Sequence, residues 1–388
     1  MRLYMRFFHV LLVCAFCATL TSCFKEEPLN AECDIEYAYL HSDDPEATFY
    51  QLTDSLVEVY STDNVIEFGV KEDVDLTALA PEFVLTEGAT IEPASGSVHD
   101  FSQDPVTYTV TSQDGKYQRT YMVRIYHWIR TTNEVQQFSF EQSRLDDSQR
   151  YSEWYEIGTD GAEIHLWATG NPGFAITAGD AAPTAYPSSV LEEGYEGRGV
   201  RLITRATGTL GALFGMPIAA GNLYTGTFNA LDALGSATKA TRFGTPVSQR
   251  PLSFSGYYKY TPGGEVTGKD NKPIPGKIDT GDIYAILYRN TDSEGKAFTL
   301  DGDNVKTSSQ IVATAIIDEV LPTKDKEWTP FHIDFTYKEQ LDREVLENYG
   351  YSLAIVFSSS ARGAYFEGAV GSELCIDEVT VTYEKIIE

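Results

Sequence analysis

The sequence predicts an all-β protein built as two β-sandwich units in series. Three observations carry this. Apolar and polar residues alternate in short runs, the two-residue period of strands that bury one face. Tyr (24) and Phe (20), which suit pleated surfaces, are plentiful, while stretches with a helical period are scarce. The 388 residues exceed what one core usually serves, so two cores are expected. A hydrophobic content of 42% can fill both and excludes wholesale disorder.

Residues 1–23 read as a targeting segment. Arg2 and Arg6 supply a positive start, and Phe7 to Leu20 form an apolar stretch too short to span a bilayer comfortably. Leu20-Thr21-Ser22-Cys23 then fits the bacterial lipobox, in which small residues precede a cysteine that receives lipid. Cys23 is therefore the expected lipidation site and the outer membrane the expected address. Phe24-Lys25-Glu26-Glu27 resembles the Lys-acidic tag of surface-exported lipoproteins of the Bacteroidetes, which implies display on the cell surface. The alternative is a solvated tether with incidental charge, and residues 24–33 are a tether on either view. The net charge of −28 would repel phosphate backbones, which excludes nucleic acid as a partner and leaves neutral ligands such as sugars open. Cys14 and Cys17 fall in the apolar leader. Cys33 and Cys375 remain, in different expected domains, and are read as two unpaired thiols, a bridge between them being an unusual interdomain staple.

Residues 34–127 show about seven short strands broken by turn residues, as a small immunoglobulin-like β-sandwich requires. Ile66, Phe68 and Val70 mark one strand. Val106, Tyr108 and Val110 alternate with threonines, Gln113-Asp114-Gly115 supplies a turn, and Tyr121, Val123 and Ile125 return. The string from Pro105 to Gly115 resembles the closing hairpin of bacterial immunoglobulin-like modules.

His127 to Glu134 is a plausible hinge, and residues 135–388 form the second unit. Ile283-Ala285-Leu287, Ile311 to Ile317 and Tyr351-Leu353-Ile355-Phe357 are strands, while only Lys338–Asn348 and Ala230–Lys239 invite a short helix. Gly/Pro-rich connections at Gly170–Gly199 and Thr261–Gly281 interrupt them. Many strands joined by long loops in one domain predict a jelly roll, whose loops and concave face bear function.

Several catalytic templates fail. Gly263 to Asp270 nearly spells a phosphate loop, but Asp270 stands where Ser or Thr must bind magnesium, and the setting is not a strand-to-helix junction. There is no Gly-x-Ser-x-Gly elbow and no His-Glu-x-x-His, and the six histidines are scattered. Carboxylates and aromatics remain. Aromatic faces stack on the C–H faces of sugar rings while hydroxyls bond nearby polar groups. Trp154, Tyr155, Trp167 and Tyr258 are the chosen platform candidates, with Tyr186, Tyr257, Tyr260, Trp328 and Tyr365 behind them; the commoner fate of such residues is core packing. A jelly roll sets its first and last strands side by side, which brings Glu141 near Asp377. The Phe-Glu start and Ile-Asp-Glu-Val end resemble carbohydrate-binding modules that hold a structural calcium at this junction. The resemblance implies Glu141 and Asp377 as calcium ligands, the alternative being acids that are solvated or cap strand ends; no cofactor is required.

An ordered set of strings identifies a family. Trp167 to Phe174 is followed by Gly215 to Leu223, Phe243 to Pro246 and Tyr257 to Tyr260. Asp279 to Tyr284, Ser358 to Ser360, Phe366 to Ser372 and Ile376 to Val379 complete it. Together they resemble the putative carbohydrate metabolism domain of Bacteroidetes lipoproteins over roughly residues 135–388. The resemblance implies an immunoglobulin-like N-terminal domain, a jelly-roll C-terminal domain and carbohydrate as ligand, in company with other polysaccharide-utilisation surface proteins. Some members are labelled putative glycoside hydrolases, yet no catalytic pair carries over residue by residue. Asn171, Asp282 and Glu367 are the polar members expected to face a groove. The leading expectation is a non-catalytic binder of polysaccharide or oligosaccharide. A glycoside hydrolase is the rival, with Glu153, Glu156, Asp282 and Glu367 as conceivable acids. An adhesin or assembly partner for protein is the third reading.

Overall fold

The computed structural model describes residues 29–50, 52–61, 63–71, 73–127, 134–158 and 161–385. The leader, Cys23 and the start of the tether lie outside these residues, as does most of the expected hinge.

The N-terminal unit consists of β1 (Ile35–Tyr39), β2 (Leu56–Glu58), β3 (Val65–Val70), β4 (Glu82–Leu85), β5 (Thr90–Glu92), β6 (Val106–Thr111) and β7 (Gln118–His127). They form one sheet in the order β2-β1-β4 and another in the order β3-β7-β6-β5. β6 and β7 make the expected hairpin, with Val106 opposite Val123 and Thr111 opposite Gln118. Its turn is built by Asp114, whose Oδ1 accepts from the Lys116 amide at 3.0 Å, and by Gly115, which supplies a φ of 71°. β3 runs parallel to β7, so Ile66, Phe68 and Val70 share an inner face with Tyr121, Val123 and Ile125. Sandwiching these rows gives this unit its own core, which also takes in Ile35, Phe83 and Tyr108.

The C-terminal unit contains β8 (Val135–Phe138), β9 (Trp167–Ala168), β10 (Ser188–Leu191), β11 (Gly199–Ile203), β12 (Asn222–Phe228), β13 (Pro251–Thr261) and β14 (Asp282–Arg289). It continues with β15 (Ile311–Ile316), β16 (Thr329–Asp334), β17 (Thr336–Tyr337), β18 (Tyr351–Ser358) and β19 (Glu373–Tyr383). One sheet has the order β10-β11-β19-β13-β16, with β8 beside β19; the first and last strands are neighbours, as a jelly roll requires. The other has the order β9-β12-β18-β14-β15-β17, with the short strands Thr241–Phe243 and Thr245–Val247 attached to β12 and β18. The main core lies between the two sheets and draws on Trp154, Trp167, Phe254, Ile283, Leu353, Phe357, Leu374 and Ile376.

Strands β14 and β18 are buried along nearly their whole length on both faces. Ile283, Ala285 and Leu287 face the main core, whereas Tyr284, Ile286 and Tyr288 enter a second apolar cluster with Phe243, Leu300, Val305 and Val356. The outer face of this sheet is thus roofed rather than solvated, and the roof is made of loops and short helices. Helices form at Ala230–Gly235 and, capped by Asp342, at Arg343–Glu347, within the expected stretches. Asn171–Ala175, within the Gly/Pro-rich stretch that reads as a connection, and Gly208–Leu213 are also helical. Both sit in the roof.

Cys33 and Cys375 are unpaired thiols, and burial raises the Cys375 pKa to about 12. Across the two units, the Asn64 side chain donates to Asp147 at 3.1 Å and Arg124 to the Glu163 carbonyl at 2.9 Å.

Candidate functional site

Between the outer face of the β9–β17 sheet and its roof lies a cavity of about 440 Å³. Tyr224, Asp282, Tyr284, Val356 and Ser358 form the floor. These are the outward residues of β12, β14 and β18, placed there by strand alternation. Phe174, Phe214, Met216, Lys306, Arg362 and Tyr365 come down from the roof.

The walls are held by side-chain bonds that stand in for secondary structure. Asn222 Oδ1 accepts from the Gly170 amide at 2.7 Å, tying the Asn171–Ala175 helix to β12. Buried Asp279 accepts from Ser360 Oγ at 2.6 Å, from Ser372 Oγ at 2.7 Å and from the Ala369 amide at 2.7 Å. That carboxylate pins both ends of the segment carrying Arg362, Tyr365 and Phe366. Three donors on one oxygen satisfy a charge that would be costly to bury alone.

The polar equipment is one ion pair, between a buried carboxylate and an exposed lysine, and one clamped acid. Lys306 Nζ lies 2.8 Å and 2.6 Å from the two Asp282 oxygens and 4.4 Å from the Tyr284 ring centre. Burial raises the Asp282 pKa and Lys306 opposes that shift. Beside the cavity, Glu367 is held by Lys277 and, at 3.2 Å, by Arg362; chiefly the Lys277 hydrogen bond keeps its carboxyl below the usual range. Aromatic surface is offered at the mouth, where Phe214 is 62% and Tyr365 46% exposed. Leu213 is exposed beside them. Of the carboxylates that line the cavity, Asp282 is paired to Lys306 and Asp303 lies 3.2 Å from Lys239.

The expected platform residues mostly lie elsewhere. Trp154 is buried in the main core. Trp167 packs its ring against Phe138 and Phe140 at 5.2 Å and Phe357 at 6.4 Å, and its Nε1 donates to Glu156 at 2.8 Å. Neither ring has a face left for a sugar. Asn171 is wholly buried, exchanging hydrogen bonds with the Ser188 backbone at 2.8 Å and 3.1 Å. It fastens the roof and does not face the groove. Tyr258 packs on the main core with its ring 6.3 Å from Phe331; the outward residue of that strand is its neighbour Tyr257. Half-buried Tyr155 lies 5.9 Å from the His165 ring, away from the cavity lining. Asp282 faces the cavity, Glu367 flanks it, and Tyr365, a secondary candidate, is in its mouth.

Glu141 and Asp377 do meet, on a loop. Asp377 Oδ2 accepts from the Tyr195 amide at 2.6 Å and the Glu196 amide at 3.0 Å, its Oδ1 from the Glu378 amide at 2.8 Å, and Glu141 Oε1 from the Arg198 amide at 2.8 Å. The loop passes so close that a Cβ on Gly197 would lie 1.9 Å from Glu141 Oε1. Amide protons converge where a calcium ion needs oxygens, and among the described residues no group of three or more His, Cys, Asp or Glu could hold a metal. The pair fits a loop clamp and does not fit a calcium cage.

Phe214, Lys306 and Arg362 were missed because the roof segments are far apart in sequence. The one available signal was the ordered set of strings, since Gly170, Met216, Asn222, Phe243, Asp282, Tyr284, Ser358 and Phe366 belong to them and all line the cavity.

A profile of the family described as "Putative carbohydrate metabolism domain" matches residues 139–382. The chain belongs to this family. Another profile, described as "SGBP, N-terminal", matches residues 48–125. Two solved structures share the fold of this putative carbohydrate metabolism domain protein. A putative glycoside hydrolase from Bacteroides thetaiotaomicron is 38% identical, with 93% of this chain and 100% of that one covered and a TM-score of 0.80. A putative glycoside hydrolase from Bacteroides vulgatus is 36% identical over 64% of this chain and 98% of that one, with a TM-score of 0.58. No curated protein matches.

Proposed function

We propose that the protein binds carbohydrate in the roofed cavity of its C-terminal sandwich, without cleaving it, as a lipid-anchored protein of the outer membrane. The cavity carries this reading. It brings six of the family's eight dispersed strings together and sets exposed aromatic rings at the mouth of a polar-edged, largely apolar hollow. That is the make-up of a site that stacks sugar rings and bonds their hydroxyls. The lipobox ending at Cys23 supports the anchor, and the acidic balance supports a neutral ligand.

Glycoside hydrolysis is the second reading, suggested by what the two similar structures are called. That chemistry needs two carboxyl groups about 5–5.5 Å apart for retention or about 6.5–9.5 Å for inversion, one of them able to give a proton. The acids of the cavity and its edge, Asp282, Asp303 and Glu367, are each held by a lysine, which favours binding over proton transfer.

A glycan-array screen of residues 24–388 tests the proposal, followed by Tyr365→Ala on the best polysaccharide. Defined binding that weakens about tenfold or more in a folded Tyr365→Ala protein is the expected outcome. No binding across a broad neutral panel would sink it. Release of reducing ends from the bound polysaccharide would move the assignment to hydrolysis.

A further inference from the structure

The loop clamped by Glu141 and Asp377 holds an exposed aromatic ring in place. Tyr195, 47% exposed, stacks on Tyr257 with ring centres 3.7 Å apart and planes 11° from parallel. Trp328 stands edge-on to Tyr195 at 6.2 Å, and Lys259 Nζ sits 4.4 Å over the Trp328 ring. None of these three rings belongs to a core cluster. All lie on the outer face of the β10–β16 sheet, since Tyr257 and Lys259 alternate with the inward Tyr258 and Tyr260 of β13. This alternation continues unbroken from inward Phe254, and the register shift between Ser255 and Tyr257 is taken up in β19, whose inward residues change from Leu374 and Ile376 to Val379 and Val381. The same face carries the two-pronged Arg201–Glu373 pair, with bonds of 3.0 Å and 2.7 Å, opposite Lys259 through Cys375.

Holding these rings is demanding. Asp377 is fully buried, and Phe140 and Glu378, beside the two clamping acids, adopt left-handed backbone with φ of 56° and 48°. Gly194 lies so close that a Cβ there would be 2.5 Å from Asp377 Oδ2. Such features persist where the surrounding structure overdetermines them, and here what they position is aromatic surface that stabilises no core.

We infer that Tyr195, Tyr257 and Trp328 form a second carbohydrate platform, which takes a neutral hexopyranose unit against its ring faces while Lys259 and the Arg201–Glu373 pair bond the sugar hydroxyls. The inference rests on the carbohydrate reading of the protein, but not on the cavity being the site. The platform and the cavity are on the outer faces of opposite sheets, so one protein engages a polysaccharide at two separate points. On a multivalent polymer this raises avidity beyond either site alone.

Affinity electrophoresis of residues 24–388 in gels containing galactan, mannan or mixed-linkage glucan tests it. The comparison is between wild type, the Tyr195→Ala/Trp328→Ala double variant, Tyr195→Phe and the cavity variant Tyr365→Ala. On the polymer that retards the wild type, the double variant should lose affinity about tenfold with its melting temperature unchanged, and Tyr195→Phe should bind normally. Protection of Trp328 from acrylamide quenching by the same polysaccharide should vanish in Tyr195→Ala. If the double variant migrates like wild type while Tyr365→Ala does not, the platform is wrong and the cavity stands. If only the double variant loses retardation, the platform stands and the cavity assignment fails. Free migration of the wild type in every gel overturns both.

Discussion

Replacing Trp167 with alanine would empty a space between Phe138, Phe140 and Phe357 and leave Glu156 without its indole partner. Large-to-small changes of this kind cost about 3–5 kcal/mol, because the lost contacts are only partly recovered by collapse. Thermal unfolding of Trp167→Ala should therefore fall by roughly 10 °C, with glycan affinity intact in whatever protein stays folded. A variant with normal melting and lost binding would restore Trp167 as a platform. Tyr365→Ala should do the reverse, since that ring is half exposed and covers no core. Residue type does not separate these two fates. Trp167, Trp154 and Tyr365 are equally good sugar platforms by chemistry, and only the register of the strand or loop decides which one meets solvent. Tyr257 and Tyr258 make the point at one-residue resolution: adjacent in sequence and alike in chemistry, they face opposite sides of β13.

At the scale of the element, strands were legible and the roof was not. β6 and β7 carry their burial as a two-residue period, and β14, β15 and β18 are short, largely apolar runs, so they could be read one by one. The helix Asn171–Ala175 is fixed by a bond to the distant Asn222, and no local pattern announces it. The junction of Glu141 and Asp377 was legible as a meeting of chain ends, but its purpose was not, because backbone amides leave no mark in sequence. The Asp377 clamp makes a pH prediction. Burial pushes its pKa up to about 6, against the pull of the Glu196, Glu378 and Tyr195 amides. An unfolded aspartate sits near about 4, so between these values the folded chain binds more protons than the unfolded one. Stability from this group is therefore fullest below about pH 4 and falls as pH rises through about 6. Asp377→Asn cannot titrate. The stability of wild type relative to Asp377→Asn should drop by about 2–3 kcal/mol at most between pH 4 and 7, measured by urea unfolding. A flat difference would show that folding does not raise the Asp377 pKa above its unfolded value.

Over the whole molecule, two cores without a shared apolar cluster mean that each unit carries its own stability. The contacts between them include Asn64 to Asp147, Arg124 to the Glu163 carbonyl, Arg242 over Tyr60 at 5.3 Å and the ring of Tyr50 against that of Tyr349 at 4.7 Å. Interfaces of this kind orient domains more than they hold them together. Every residue that lines the roofed cavity, and every ring of the second platform, belongs to the C-terminal unit. A chain of residues 134–388 should accordingly fold and bind the same polysaccharide within about twofold of the longer chain, the spread expected of changes remote from a site. A folded fragment that loses tenfold or more would place part of the ligand against the N-terminal unit. The place would then be the groove where Asp63 meets Arg150, Glu153 and Phe228, because Phe228 also lines the roofed cavity and would connect the two.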